Sequence, residues 1–222
     1  GFTTDRIITV QVAPAGENYR TPGQLIGYWN RVLERVRALP GVERVALAES
    51  LPMGGSRSII AFNVDGKPEA PPNEPRLARW VDVSPGYFAA MGIPVTRGRE
   101  FVDADVVERP RVILINESMA RREFQGLDPI GRRFSFDADE AGEPIWSDIV
   151  GVVADVRQYR ADEDPVPMAY GVHSGALESA MHVIVRTAGP SGGVAAPLRA
   201  ALRALDASLP VSQVRSLDAV VG

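Results

Sequence analysis

The chain has 222 residues, of which 45% are hydrophobic and 23% charged, with a net charge of −4 and no cysteine; this is a globular composition, long enough for one large or two small domains. The acidic balance argues against nucleic acid or an anionic membrane as the main partner, and the absence of thiols excludes disulfides, thiol nucleophiles and thiolate metal sites. No apolar run reaches the ~18 residues of a membrane-spanning helix, and no basic stretch followed by an apolar one opens the chain as a signal peptide would.

Ile8, Val10 and Val12 alternate with Thr9 and Gln11, which predicts a strand with one buried face. Thr21, Pro22 and Gln24 have the spacing of a capping box with proline at the first helical position. The helix they open carries Leu25, Trp29, Val32, Leu33 and Val36 on one stripe. Leu39-Pro40-Gly41 ends it, and Val45 and Leu47 continue as a strand, so 5–48 reads as a β-α-β unit. A Gly54-Gly55-Ser56 loop leads to a strand over 59–64, closed by a turn at Asp65-Gly66. The prolines at 68, 71, 72 and 75 make an exposed connection. Alternation resumes through Leu77, Val81 and Val83, and Ser84-Pro85 is placed to cap a short helix anchored by Tyr87, Phe88 and Met91 and ended by Gly92.

The segment 111–136 is the most legible. Val112 to Ile115 suits a buried strand, Asn116 an N-cap, and Met119, Ala120 and Phe124 one helical face stopped by Gly126. Asp128-Pro129-Ile130-Gly131 is a turn, and Phe134 and Phe136 alternate into a second strand. Residues 145–156 read as a long strand with a bend or bulge at Gly151. Met181, Val183 and Val185 give another strand, then Leu198, Ala201, Leu202 and Leu205 a helical stripe whose start Pro197 obscures, then a last strand through Val211 and Val214. The two ends therefore share a strand-helix-strand order, with Arg37-Ala38-Leu39-Pro40 echoed by Arg203-Ala204-Leu205 and Leu209-Pro210. Two such units combine into a ferredoxin-like sheet with both helices on one face. The expected fold is α+β: a split, porter-like subdomain from 1–97 and 171–222, with a mixed α/β subdomain, 98–170, inserted in it.

Candidates for chemistry are few. Gly126 and Gly131 have the glycine spacing of a phosphate loop, but Arg132 and Arg133 stand where Lys and Ser/Thr belong, and a helix precedes the turn instead of following it. His173 and His182 have no third ligand nearby in sequence, and Ser56 lacks the flanking pattern of a nucleophile elbow. Asp103, Asp105 and Glu108 lack the central glycine and later glutamate of a calcium loop, and Asp137, Asp139, Glu140 and Glu143 read as a solvated hairpin tip. No catalytic, cofactor-binding or metal-binding residue is assigned, and no cofactor is expected.

Three stretches taken together carry a resemblance: Ser84-Pro85-Gly86-Tyr87-Phe88 through Gly98-Arg99-Glu100-Phe101; Asn116-Glu117 through Asp128-Pro129-Ile130-Gly131; and Ile149-Val150-Gly151-Val152-Val153 with Asp155-Val156-Arg157. In this order they resemble the MacB-like extracytoplasmic domain of ABC transporter permeases, the macrolide-exporter and FtsX-like group. The start at Gly1-Phe2-Thr3 and the run Glu49-Ser50-Leu51-Pro52 look like the second such domain of the long duplicated permeases of acidobacteria. The resemblance implies a non-enzymatic domain on the periplasmic face of the inner membrane, between two transmembrane helices of a permease, coupling ATP-driven movement to export or to extracytoplasmic partners. Implied partners are those flanking helices, a cognate ABC ATPase, a second permease copy and a periplasmic adaptor, with no nucleic acid. The competing expectation is a free-standing module that captures a small ligand or peptide in a pocket lined by Trp80 and Tyr87.

Overall fold

A computed structural model describes residues 2–52, 58–71, 73–107, 111–156, 164–174, 180–209 and 211–221. The expected Gly54-Gly55-Ser56 loop, Glu108 and Arg157 lie outside them. The strands are β1 (Ile7–Val12), β2 (Val42–Ala48), β3 (Ile59–Ala61), β4 (Asn63–Val64), β5 (Leu77–Val83), β6 (Val95–Gly98), β7 (Val112–Asn116), β8 (Arg133–Ser135), β9 (Ser147–Val153), β10 (Met168–Val172), β11 (Met181–Thr187) and β12 (Arg215–Ser216). The helices are α1 (Pro22–Arg37), α2 (Tyr87–Met91), α3 (Glu117–Phe124), α4 (Ala195–Leu205) and α5 (Asp218–Val221).

The first half is the ferredoxin-like unit expected from the repeated ends. Its strands run β12-β1-β11-β2, all neighbours antiparallel, which is the order generated by two β-α-β units in one sheet. Thr21 and Gln24 form the capping box, Arg35 and Arg37 sit in the last turn of α1, and Leu25, Trp29, Val32, Leu33 and Val36 are buried. Tyr28 joins that stripe. Pro197 lies in the first turn of α4, where its missing N–H costs nothing, and Leu198 and Leu202 pack with the α1 stripe against Val10, Val45, Val183 and Val185. The last strand forms at Arg215–Ser216 rather than through Val214, with a separate bridge from Val211 to Val12.

The second half continues the same sheet as β5-β10-β7-β9-β8-β4, with β3 beside β5 and β6 beside β9. It is mixed: β10 is parallel to β5 and β7 to β9, while β7 and β10 are antiparallel. Asn116 caps α3 as expected, its side chain accepting from the Met119 N–H at 3.0 Å. The helix ends one residue earlier than the glycine implied, since Gln125 already takes the left-handed conformation, φ 47°, before Gly126. The expected bulge falls beside Gly151: Ile113 pairs with Ile149 but Leu114 with Gly151, so Val150 is the extra residue. A Cβ on Gly151 would lie 2.3 Å from the Arg99 carbonyl oxygen, so only glycine lets β6 approach.

Other local expectations give way to long-range contacts. The strand over 59–64 breaks at buried Phe62, because β3 pairs with β5 whereas β4 crosses to β8. Phe136 falls just outside β8 and packs against Trp80 in a tilted ring pair, centroids 4.4 Å apart. Ser84 caps nothing: Gly86 takes the N-cap position of α2, and the Ser84 hydroxyl accepts from the Leu47 N–H at 2.8 Å. Strands β3 to β6, from the segment 58–98, hydrogen-bond largely into the second half of the sheet.

Candidate functional site

The two halves meet at the join of β2 and β5, where the sheet narrows to one register pair, Ala48 with Val83. Two backbone hydrogen bonds and one between side chains reinforce it. The Ser84 N–H donates to the Leu47 carbonyl at 3.0 Å, the Glu49 N–H to the Asp82 carbonyl at 2.9 Å, and the Ser58 hydroxyl to Glu49 Oε1 at 3.2 Å. Beneath the join lies one hydrophobic cluster with Ile7, Ala46 and Ile184 from the first half, Val81, Leu114 and Tyr170 from the second, and Tyr87, Phe88 and Met91 of α2 between them. Because the halves share both ladder and core, separating them would expose this cluster.

Helix α2 is only five residues long and has no side-chain cap of its own. Glu100, twelve residues on, supplies one, accepting from the Phe88 N–H at 3.2 Å. Burial raises the Glu100 pKa, and the N–H groups of Phe88, Gly86 and Ala89 together with Arg44 pull against it. Glu123 is a buried carboxylate, met by Arg122 at 2.7 Å, Lys67 at 3.1 Å and Arg76 at 3.7 Å. The single lysine of the chain thus serves a structural ion cluster.

The titratable candidates do not converge. His173 follows β10, is 3% exposed, and neither ring nitrogen has a hydrogen-bond partner among the described residues. Burial lowers its pKa to about 4, so it is neutral at physiological pH. His182 lies on β11, its pKa also lowered by burial. Burial pushes the Asp105 carboxyl up, but hydrogen bonds from Arg99 and the Val102 N–H outweigh it and leave the pKa lowered. Asp139 Oδ1 accepts from the N–H groups of Ala141 and Glu143, which commits it to the hairpin turn. Among the described residues no three His, Asp or Glu side chains are grouped to hold a metal ion.

The turn after α3 is likewise occupied by its own structure. The Gly131 N–H donates to the Ile149 carbonyl, that of Arg132 to Pro129, and that of Ile130 to Asp128 Oδ1, so these amides are not available for phosphate. Trp80 and Tyr87, expected to line a pocket, are 9% and 2% exposed and belong to different core clusters. A cavity of about 330 Å³ does exist, on the sheet face opposite α1 and α4, with Thr9, His182 and Arg215 in its wall. In the sequence these residues were only the polar members of alternating strands; their convergence comes from the pairing of β1 with β11 and β12.

The fold defines a class of domain: a ferredoxin-like unit whose sheet continues, through the β2–β5 join and a shared hydrophobic cluster, into a strand-rich second half. The chain belongs to the MacB-like periplasmic core domain family, whose model matches residues 1–205. It is an extracytoplasmic domain of a MacB-like ABC-type permease. Similar solved structures include the periplasmic region of MacB from Actinobacillus actinomycetemcomitans, 15% identical with a TM-score of 0.62, covering 98% of this chain and 91% of that one. The extracellular domain of the noncanonic ABC-type transporter YknZ from Gram-positive bacteria is 15% identical with a TM-score of 0.57, covering 94% and 99%. A domain of a putative permease from Porphyromonas gingivalis is 14% identical with a TM-score of 0.56, covering 97% and 92%. No curated protein matches the chain by sequence.

Proposed function

We propose that the chain is the non-catalytic, periplasmic part of its permease and acts as a rigid transmitter, carrying ATP-driven movement of the membrane helices to export or to partners outside the membrane. The observation that carries this is the placement of the chain's two terminal strands. β1 and β12 are hydrogen-bonded neighbours, with Ile8 opposite Ser216 and the Leu217 N–H donating to the Ile7 carbonyl at 2.8 Å. A domain entered and left at one edge can sit on two membrane helices packed ~8–10 Å apart without spanning a gap. The shared ladder and core supply stiffness, since displacement at that edge is passed across the sheet rather than absorbed between halves.

In this reading the partners are the two flanking membrane helices, a cognate ABC ATPase, a second permease copy and a periplasmic adaptor. The division into 1–97 with 171–222 and 98–170 also enters as a proposal; the pairing of β3 to β6 favours moving its first boundary so that 58–97 goes with the second part. The permease gene tests the placement: apolar segments of ~20 residues should directly flank this chain, and soluble sequence on both sides would sink it. For function, the permease and its ATPase are reconstituted in liposomes with and without this domain. Coupled transport should disappear on deletion while basal ATP hydrolysis persists; unchanged transport would refute the transmitter role.

A further inference from the structure

The cavity of about 330 Å³ lies beside β1, β11 and β12 and falls at the lower end of the ~300–1,000 Å³ range of small-molecule sites. Its floor follows from strand register. Thr9 pairs with Ile184 and Arg215, and Gln11 with His182, so the polar members of three strands meet on the face that α1 and α4 leave uncovered. Leu51 and Val220 add apolar lining, and the exposed Gln11, Ser212, Gln213 and Arg215 leave it open to solvent.

Two features set this cavity apart from an incidental gap between loops. Thr9 is 3% exposed, yet its hydroxyl has no hydrogen-bond partner among the described residues, and an unmade hydrogen bond at a buried hydroxyl is costly. Valine has nearly the same shape without that cost, which makes threonine a poor choice here for packing alone. The second feature is charge. Arg215 forms no ion pair among the described residues, and no carboxylate is among the described residues of the wall. Burial keeps His182 neutral, so it can donate at one ring nitrogen and accept at the other. The Ser212 hydroxyl is anchored by accepting from the Gln11 N–H at 2.9 Å, leaving its own proton to donate.

We infer that this cavity binds a small organic carboxylate bearing hydroxyl or amide groups, its carboxylate on Arg215 and its neutral polar groups on Thr9, His182 and Ser212. Arginine matches a carboxylate with two parallel N–H donors. The hydroxyls and imidazole offer the mixed donors and acceptors that sugar acids and short peptide C-termini share. The site is away from the β2–β5 seam but shares β1 and β12 with the terminal edge on which the transmitter role rests, so the two readings are told apart by their experiments: ligand binding for the one, transport coupling for the other.

Calorimetry on the 222-residue chain tests this with two probe pairs: glucuronate against glucose, and N-acetyl-dialanine against its C-terminal amide. At least one acid should bind, and its uncharged partner should bind at least about tenfold more weakly, the loss of one charge-assisted pair. The pair that responds tells a sugar acid from a peptide C-terminus. Arg215→Gln should weaken the acid by a similar factor. Thr9→Val should also weaken it about tenfold while raising the melting temperature by about 2–4 °C, because an unsatisfied hydroxyl has been removed. That opposite movement of binding and stability separates a site from a folding defect. Failure of both acids to bind at 10-millimolar order, equal binding of acid and neutral partner, or wild-type binding by both variants overturns the inference. None of those results bears on the transmitter role, which transport coupling tests.

Discussion

His173 gives the sharpest test of the structure through pH. Its ring is buried at the end of β10, with both nitrogens unpartnered among the described residues, and burial lowers its pKa from the ordinary 6.5 to about 4. Above pH 6.5 neither folded nor unfolded chain binds the proton, and the full stability is present. Between 6.5 and about 4 only the unfolded chain takes it up, so stability is lost as pH falls through that window. At about 1.4 kcal/mol per pH unit the loss reaches roughly 2.5 kcal/mol by pH 4.5. The assay is urea unfolding by tryptophan fluorescence at pH 7.5, 6.0 and 4.5, for the wild type and His173→Leu. Groups such as Glu100 and Asp105 titrate in both proteins and cancel in the comparison. The variant should gain about 2.5 kcal/mol on the wild type between pH 7.5 and 4.5. Parallel losses in the two proteins would mean that His173 is solvated or partnered, and would refute the reasoning.

Three further substitutions probe the architecture by the same unfolding assay. Asn116 is fully buried, accepts from the N–H groups of Met119 and Met168 and donates to the Val166 carbonyl, so Asn116→Ala should cost about 3 kcal/mol by orphaning the α3 cap and the start of β10 together; a cost under ~1 kcal/mol would show that the three bonds do not act in concert. Gly151→Ala drives a Cβ to 2.3 Å from the Arg99 carbonyl oxygen and should destabilise by at least ~2 kcal/mol, with faster amide exchange in β6 than elsewhere in the sheet. Glu123→Gln leaves Lys67, Arg76 and Arg122 without their carboxylate and should cost about 2 kcal/mol, below the figure for a fully buried pair because those cations are 23–43% exposed; an unchanged urea midpoint would show the cluster to be solvent-screened.

The sequence by itself determined those parts of the molecule that depend on neighbours in the chain. The capping box at Thr21 and Gln24, the Asn116 cap and the alternation in β1 and β11 each need only a few consecutive residues, and each is present. The repeated strand-helix-strand ends also sufficed for the ferredoxin-like order, because only a few sheet topologies satisfy the handedness and connection rules for two such units. The tertiary structure alone decided what depends on residues distant in the chain. Ser84, which looks locally like a helix cap, is spent on Leu47 across the seam, and Glu100 caps α2 from twelve residues away. Trp80 and Tyr87, which looked available for a pocket, are buried in separate cores, while the cavity formed among Thr9, His182 and Arg215 on three strands. Local periodicity states which face of an element is apolar, but not which distant strand will cover it; that is settled only when the whole sheet forms and each buried donor has found an acceptor.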